Sequence, residues 1–288
     1  MKNYSEKSKH KGECPQFKRK LETKGCLYVK TFIKKLVPWG IPVLIVVCWQ
    51  FFTKFHILST NFLPAPSDVF VAAFHLINNG ELFHNVWVSL WRALLGFFIG
   101  GSIGFILGLL NGIFRTSETL LDTSIQMLRN IPHLALVPLV ILWFGIEEEA
   151  KIFLVATGVL FPIYLNTYHG IKNVDKGLIE MGKSYGLKGF PLFVHIIFPG
   201  ALSSILVGVR FTLGIMWVTL IVAETISSTS GIGYMAMTAR EFMQMDIIVL
   251  SILLYALLGK ASDIIAKFFE KKWLQWHPNY QQRLVVIS

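Results

Sequence analysis

The run "GLIEMGKS", Gly177 through Ser184, fits the phosphate-binding pattern G-x-x-x-x-G-K-[ST] letter for letter. That pattern holds a nucleotide only when it follows a buried strand, opens a helix and lets backbone N–H groups wrap the phosphates. Here the preceding residues, "YHGIKNVDK", are polar and turn-like. Leu178, Ile179 and Met181 are bulky where phosphate must approach closely, and Glu180 sets an anion against an anion. Gly186, Gly189 and Pro191 interrupt a helix within two turns. No apolar strand ending in Asp follows to hold magnesium. The sequence therefore predicts no nucleotide site on this chain, and the stretch needs another purpose.

Other chemistry is equally thin. His75, His84, His133 and His169 form no H-E-x-x-H pair, and no nucleophile–base–orienter set is apparent. His10, Cys14 and Cys26 lack paired metal-ligand spacing, so no metal is expected. A disulfide is not expected for a basic tail placed in the cytoplasm. The reading is of a non-enzyme that binds no cofactor itself.

The elements that carry these residues are membrane helices. The chain has 288 residues, 53% of them hydrophobic and only 15% charged. A soluble domain carries about a quarter charged residues, and several apolar runs here reach the roughly 20 residues that cross a bilayer as helix. The expected fold is all-α and polytopic, with about six spans: Leu36 to Phe52, Val86 to Phe114, Leu120 to Phe144 broken at "NIPHLALVP", Ile152 to Tyr168, Leu202 to Val222, and Ile247 to Phe269. Between them, Pro64 and Pro66 block regular helix before a short one capped by Ser67. "RTSETLLD" reads as a tight polar turn, "GIEEE" as an acidic turn, and "AETISSTSGIGYM" with "AREFMQMD" as a connection. The domains expected are a basic tail at 1–35, a transmembrane domain at 36–275 with a long polar loop at about 170–199, and a short tail at 276–288.

Net charge is +10, and much of it sits in residues 1–36, where eleven Lys and Arg face Glu6, Glu13 and Glu22. Next to a span this reads as a cytoplasmic anchor touching anionic lipid rather than a nucleic-acid arm. No small-x-small cleavage site follows the first apolar run, so that span is expected to be retained. With the tail inside, Lys172, Lys176, Lys183, Lys188, Lys271 and Lys272 fall on the same side, and Glu147, Glu148 and Glu149 fall outside. Both termini are thus expected in the cytoplasm.

Gly96, Gly100, Gly104, Gly108 and Gly112 recur every fourth residue in the second span and form a slanting ridge. Small residues there let another backbone come close; packing within the subunit is weighed above a pore-lining or dimer role. Arg92, Asn111, Arg129, Asn130, Asn166, Arg210 and Glu224 lie in or near spans, where polar groups are costly. Arg92, Asn130, Asn166, Arg210 and Glu224 are kept as candidates for either a transport pathway or helix packing.

Beneath the false phosphate loop lies a second spacing: Glu180-Met181-Gly182, then Gly186, then Ile196 and Pro199. It resembles the "EAA" cytoplasmic loop of permease subunits in binding-protein-dependent ABC importers. Met181 and Gly182 stand where that pattern has alanines, and the glycine is expected to loosen the first helix by up to about 1 kcal/mol. A helix from about Val174 to Tyr185 and another from Pro191 to Phe198 are expected, with Gly186 at positive φ between them. "LPAPSDVF", "SLWRALLGFFIG", "RNIPHLALVPLVILWFGI", "FPIYLNTYHGI" and "VAETISSTSGIGYM" extend the likeness from about residue 60 onward. They resemble the aliphatic sulfonate, taurine and nitrate permease group, and "YGLKG" and "ALLGKASD" look closest to its sulfonate members.

The resemblance implies a permease of the bacterial cytoplasmic membrane, without catalytic residues, whose coupling helices dock on an ATPase subunit. ATP and Mg would bind that partner. An extracytoplasmic solute-binding protein would deliver the substrate, and two permease chains would form the pore. Taurine, nitrate or a thiamine precursor remain alternative cargoes. An ion-coupled carrier would favour intramembrane carboxylates and related halves, but Glu224 stands almost alone and no internal repeat is visible.

Overall fold

The computed structural model describes residues 40–55 and 63–276. It divides into two units, 1–66 and 67–288. The first contains α1 (Gly40–Lys54), an apolar helix shorter than a full span. The start expected at Leu36 lies outside the described residues, as do the basic tail and the end of the second tail.

Among its described residues, the second unit is built of helices joined by short turns. It runs α2 (Pro66–Asn78), α3 (Glu81–Ile113), α4 (Arg115–Arg129), a 3-10 turn (His133–Leu136), α5 (Val137–Phe144), α6 (Glu148–Lys172), α7 (Lys176–Ser184), α8 (Gly189–Leu192), a π turn (Phe193–Ile197), α9 (Phe198–Ser227), α10 (Ile232–Glu241) and α11 (Met245–Trp273). Among the described residues, α3, α6, the continuous helix Gly189–Ile226 and α11 are long and apolar enough to cross a membrane. α4 and the segment His133–Phe144 form a fifth candidate, bent by 78°. The bend falls where Pro132 withholds a backbone N–H and its ring obstructs the helix.

Several expected boundaries move. "RTSETLLD" is not a turn but the start of α4, with Phe114 alone breaking the helix before it. Its polar residues are paired, as described below, so they need no loop. Pro66 starts α2 instead of preceding it, because the first helical position has no N–H to lose. Glu148 and Glu149 belong to the first turn of α6, where negative charge suits the helix N-terminus. The connection after Glu224 holds a ten-residue helix, α10. The second polar helix is not separate from the fifth span: α8 passes through the π turn directly into α9.

α6 is the central element. It packs most extensively against α3 and next against α9. The glycine ridge of α3 makes the first contact possible. A Cβ on Gly100 would strike the Ala156 carbonyl, and one on Gly104 the Leu160 carbonyl. At Gly108 it would lie 2.8 Å from the Tyr164 oxygen, at Gly96 2.6 Å from Val155 Cβ, and at Gly112 2.9 Å from Ile171 Cβ. All five therefore face α6 within the same chain. Each glycine forgoes up to about 1 kcal/mol of helix propensity against alanine. Close backbone approach offsets this, since in lipid helices associate by van der Waals contact rather than by hydrophobic exclusion. On its other side α6 meets α9, where Gly208 leaves room for Asn166 and Gly170 for Ser204.

Gly100→Ala should lower the thermal unfolding midpoint of the purified protein, because overpacking costs about 1–3 kcal/mol. Gly214→Ala, where a Cβ meets nothing within 4 Å, should leave the midpoint unchanged or raise it. Equal behaviour of the two variants in a detergent melt would contradict the ridge packing.

Candidate functional site

At one end of the helices, a carboxylate is taken completely out of solvent. Glu224 of α9 has no exposed side-chain surface, and Arg92 of α3 is 1% exposed. Arg92 Nη1 donates to Glu224 Oε1 at 2.9 Å. Ser89 Oγ lies 2.8 Å from both carboxylate oxygens. The Gly233 N–H and the Tyr255 hydroxyl each donate to Glu224 Oε2 at 2.9 Å. A buried carboxylate is tolerated only with such a complete set of donors.

The same residues cap α10. Gly231 N donates to Asn85 Oδ1 and Ile232 N to Ser89 Oγ, each at 2.8 Å. The first N–H groups of α10 thus find partners on α3 and α9, as orphan donors of a buried helix end must. Gly231 has φ +109, and its surroundings leave no room for a Cβ beside the Glu224 carboxylate. Arg92 also donates through Nη1 to the Ser230 carbonyl at 2.6 Å. Its Nε and Nη2 fork onto Glu148 of α6 at 2.5 and 2.6 Å, and Lys151 Nζ donates to the same Glu148 at 3.1 Å. One network therefore joins α3, α6, α9, α10 and α11.

A second polar cluster lies where α3 ends and α4 begins. Asn111 Nδ2 donates to the Tyr164 hydroxyl, which donates to Asp122 at 2.7 Å. Tyr168 and Lys172 both donate to Glu118, at 2.5 and 2.6 Å. The Tyr164 and Tyr168 rings stack 5.9 Å apart. The polar face of α4 is held to α6 in this way.

The remaining candidates separate. Arg210 pairs with Asp263 of α11 at 2.6 Å and with Glu270 at 3.6 Å. Asn166 donates to the Pro162 carbonyl, one turn back in its own helix, at 2.8 Å. Asn130 and Arg129 are exposed at the bend, and His133 beside them meets Thr219 of α9 at 3.2 Å. Of the five residues kept open between pathway and packing, the structure brings only Arg92 and Glu224 together. Among the described residues no His, Cys, Asp or Glu cluster could hold a metal ion.

Gly177–Ser184 folds as α7, not as a loop around a helix N-terminus. Asp175 caps it by accepting from Gly177 N at 2.8 Å. Its end is a paired turn: Gly186 N donates to the Lys183 carbonyl at 2.9 Å and Leu187 N to the Gly182 carbonyl at 3.0 Å. Gly186 takes φ +84 and Gly189 φ +55. Gly182 is buried, and a Cβ there would lie 2.9 Å from Leu192 Cδ1 and 3.1 Å from Ile196 Cγ1. It does not simply loosen α7; it lets α7 lie against α8 and the π turn. Glu180 and Met181 stay exposed, while Ile196 and Pro199 are half-buried at the junction with α9. The result is an exposed helical hairpin, continuous with a long apolar helix.

Residues 100–275 match the family described as "Binding-protein-dependent transport system inner membrane component". The chain belongs to this family. It is 62% identical over 259 residues, 90% of this chain and 98% of the other, to the protein of Escherichia coli (strain K12) named "Putative aliphatic sulfonates transport permease protein SsuC". The Bacillus subtilis (strain 168) protein of the same name is 41% identical, covering 84% of this chain and 87% of that one. "Taurine transport system permease protein TauC" of Escherichia coli (strain K12) is 31% identical over 244 residues, covering 83% of this chain and 88% of that one. In fold, this membrane component resembles an inward-facing MetNI methionine ABC transporter chain, with TM-score 0.51, 20% identity, and coverage of 64% of this chain and 93% of that one. An amino acid ABC transporter chain gives TM-score 0.57 at 16% identity, covering 70% and 97%.

Ser89, Asn85, Lys151, Tyr255, Tyr164 and Asp122 were not singled out by sequence reasoning, and Glu148 was named only as part of an acidic outer turn. Asn85, Ser89 and Arg92 are spaced by four and three, a polar stripe on one face of an otherwise apolar helix. That signal was readable. Tyr255, one tyrosine in an apolar run, offered none.

Glu224→Ala should destabilise the protein by about 3–5 kcal/mol, because it strands the buried Arg92 charge. Arg92→Ala should do the same, and the double variant should lose much less than the sum. Thermal unfolding of the three purified variants checks this; additive losses would mean that the pair is not coupled.

Proposed function

We propose that this chain is the permease subunit of an ABC importer for small organic anions of the aliphatic sulfonate class. The observation that carries the reading is 62% identity to SsuC along nearly that protein's whole length. ATP and Mg would be bound by separate ATPase subunits, and an extracytoplasmic binding protein would supply the substrate. A second copy of the chain would complete the pore.

The α7–α8 hairpin is the element we assign to the ATPase. It presents Glu180, Met181, Tyr185 and Phe190 to solvent, and an exposed apolar knob of this kind needs a partner surface. Gly186 at positive φ sets the angle between its two arms, and Ile196 and Pro199 join it to the span. The Lys and Arg bias supports an orientation with this hairpin and both termini in the cytoplasm. The network around Arg92 and Glu224 would then lie at the outer end, where we read the fully buried Glu224 as packing rather than as a lining of the pathway.

Vesicles containing the chain, its ATPase and its binding protein should take up a labelled alkanesulfonate only with internal ATP available to the ATPase. Transport of nitrate with no uptake of any alkanesulfonate, taurine included, would overturn the substrate class. Gly186→Val, which forces a β-branched residue to positive φ at a cost of about 1–3 kcal/mol, should reduce both uptake and ATPase co-purification at near-normal membrane level. Glu180→Ala should act in the same direction and less. Normal uptake and co-purification in Gly186→Val would remove the coupling assignment.

Orientation has its own check. After replacement of the native cysteines Cys14, Cys26 and Cys48, Glu147→Cys should react with an impermeant thiol reagent in intact cells, whereas Lys183→Cys should react only after lysis. The opposite pattern would invert the topology.

A further inference from the structure

The two carboxylates on Arg92 are not equivalent. Glu224 is wholly buried, whereas the Glu148 side chain is 51% exposed while the cations it bridges, Arg92 and Lys151, are 1% and 2% exposed. Those cations are also held without Glu148. Arg92 Nη1 is fixed by Glu224, the Ser230 carbonyl and Ser228 Oγ, at 2.9, 2.6 and 3.1 Å, and Nη2 reaches Ser230 Oγ at 3.0 Å. Lys151 Nζ donates to the Ile146 carbonyl at 3.2 Å. A swing of Glu148 would leave a formed cradle with two cations against one carboxylate, and so one positive charge unmatched.

We propose that Arg92 and Lys151 form a binding site for the sulfonate group of the transported molecule, which Glu148 occupies as a tethered substitute in this conformation. The proposal rests on the substrate class inferred above. The arrangement of donors suits a sulfonate. Three N–H sources converge on Glu148: Arg92 Nε, Arg92 Nη2 and Lys151 Nζ. In Glu148, Oε1 accepts from both Nη2 and Nζ while Oε2 accepts from Nε. A sulfonate has three oxygens and can give one to each donor, and its single negative charge matches the charge that Glu148 would vacate. The site also lies at the start of α6, where Glu147 provides no side-chain cap and the helix end favours an anion. Exposed Glu147 and Glu149 oppose the ligand's charge, which keeps the site weak enough to release what it takes.

The test uses Glu148→Ala in the full-length purified transporter, with thermal unfolding followed against methanesulfonate, acetate and sulfate at fixed ionic strength. Methanesulfonate should raise the midpoint saturably, at concentrations about tenfold or more below those needed by the wild type, because the tethered competitor is gone. Acetate should do less, and adding Lys151→Met should abolish the effect. No saturable rise, an equal rise with acetate or sulfate, or a rise that survives Lys151→Met would each overturn the site. Should Glu148→Ala fail to purify, Glu148→Gln keeps the side-chain shape and carries the same test. Sulfonate uptake by the wild type with no such shift in the variants would reject this site and leave the transport reading standing.

Discussion

A carboxylate without solvent is the constraint around which this end of the molecule is organised. Glu224 is fully buried, and an unpaired charge there would be prohibitively costly. Its requirements explain features that otherwise look unrelated: an arginine inside an apolar helix, a serine and an asparagine one and two turns before it, a glycine at positive φ where α10 begins, and a tyrosine hydroxyl on α11. Each supplies a hydrogen bond, or the room for one. A pair buried this completely gives little net stability over an apolar substitute. What it specifies is arrangement, because only one placement of these segments satisfies every donor and acceptor together.

The remainder of the helix packing follows from how closely α6 can be approached. Glycines on α3 bring the two backbones into contact on one side, and Gly170 and Gly208 do the same between α6 and α9. Polar groups then fasten the ends. The Tyr164, Tyr168, Glu118 and Asp122 cluster holds α4 to α6, and Arg210 with Asp263 holds α9 to α11. In a membrane, where apolar association is weakly directional, this combination of small residues and paired polar groups is what gives helices their partners.

Much of this was legible in the sequence. Composition and run length gave an all-α membrane architecture, the four-residue glycine period gave one packing face, and Pro132 gave the break in the third span. The hairpin was legible through its EAA-like spacing and through Gly186, Gly189 and Pro191, which mark a bend between two short helices. What stayed hidden depended on distance in three dimensions. Glu224 and Arg92 are 132 residues apart, and nothing local links them. "RTSETLLD" looked like a turn because its polar residues carry no mark of the partners that satisfy them on α6. The π turn was hidden too, although Pro199 inside the helix removes a backbone donor just beyond it.

The uninterrupted run from Gly189 to Ile226 has a mechanical meaning. Its 38 residues make a rod of roughly 57 Å, with the exposed hairpin at one extremity and Glu224 close to the other. A stiff rod turning about its middle carries displacement to both ends at once: a tilt of about 10° would shift each tip by about 5 Å, close to one helical turn. Hydrogen bonds do not survive such a shift, so with the hairpin seated on an ATPase as proposed, a push on it would be a pull on the carboxylate. The π turn is the one place along this lever where the backbone departs from regular winding, and its compliance would set how much of such a stroke is delivered.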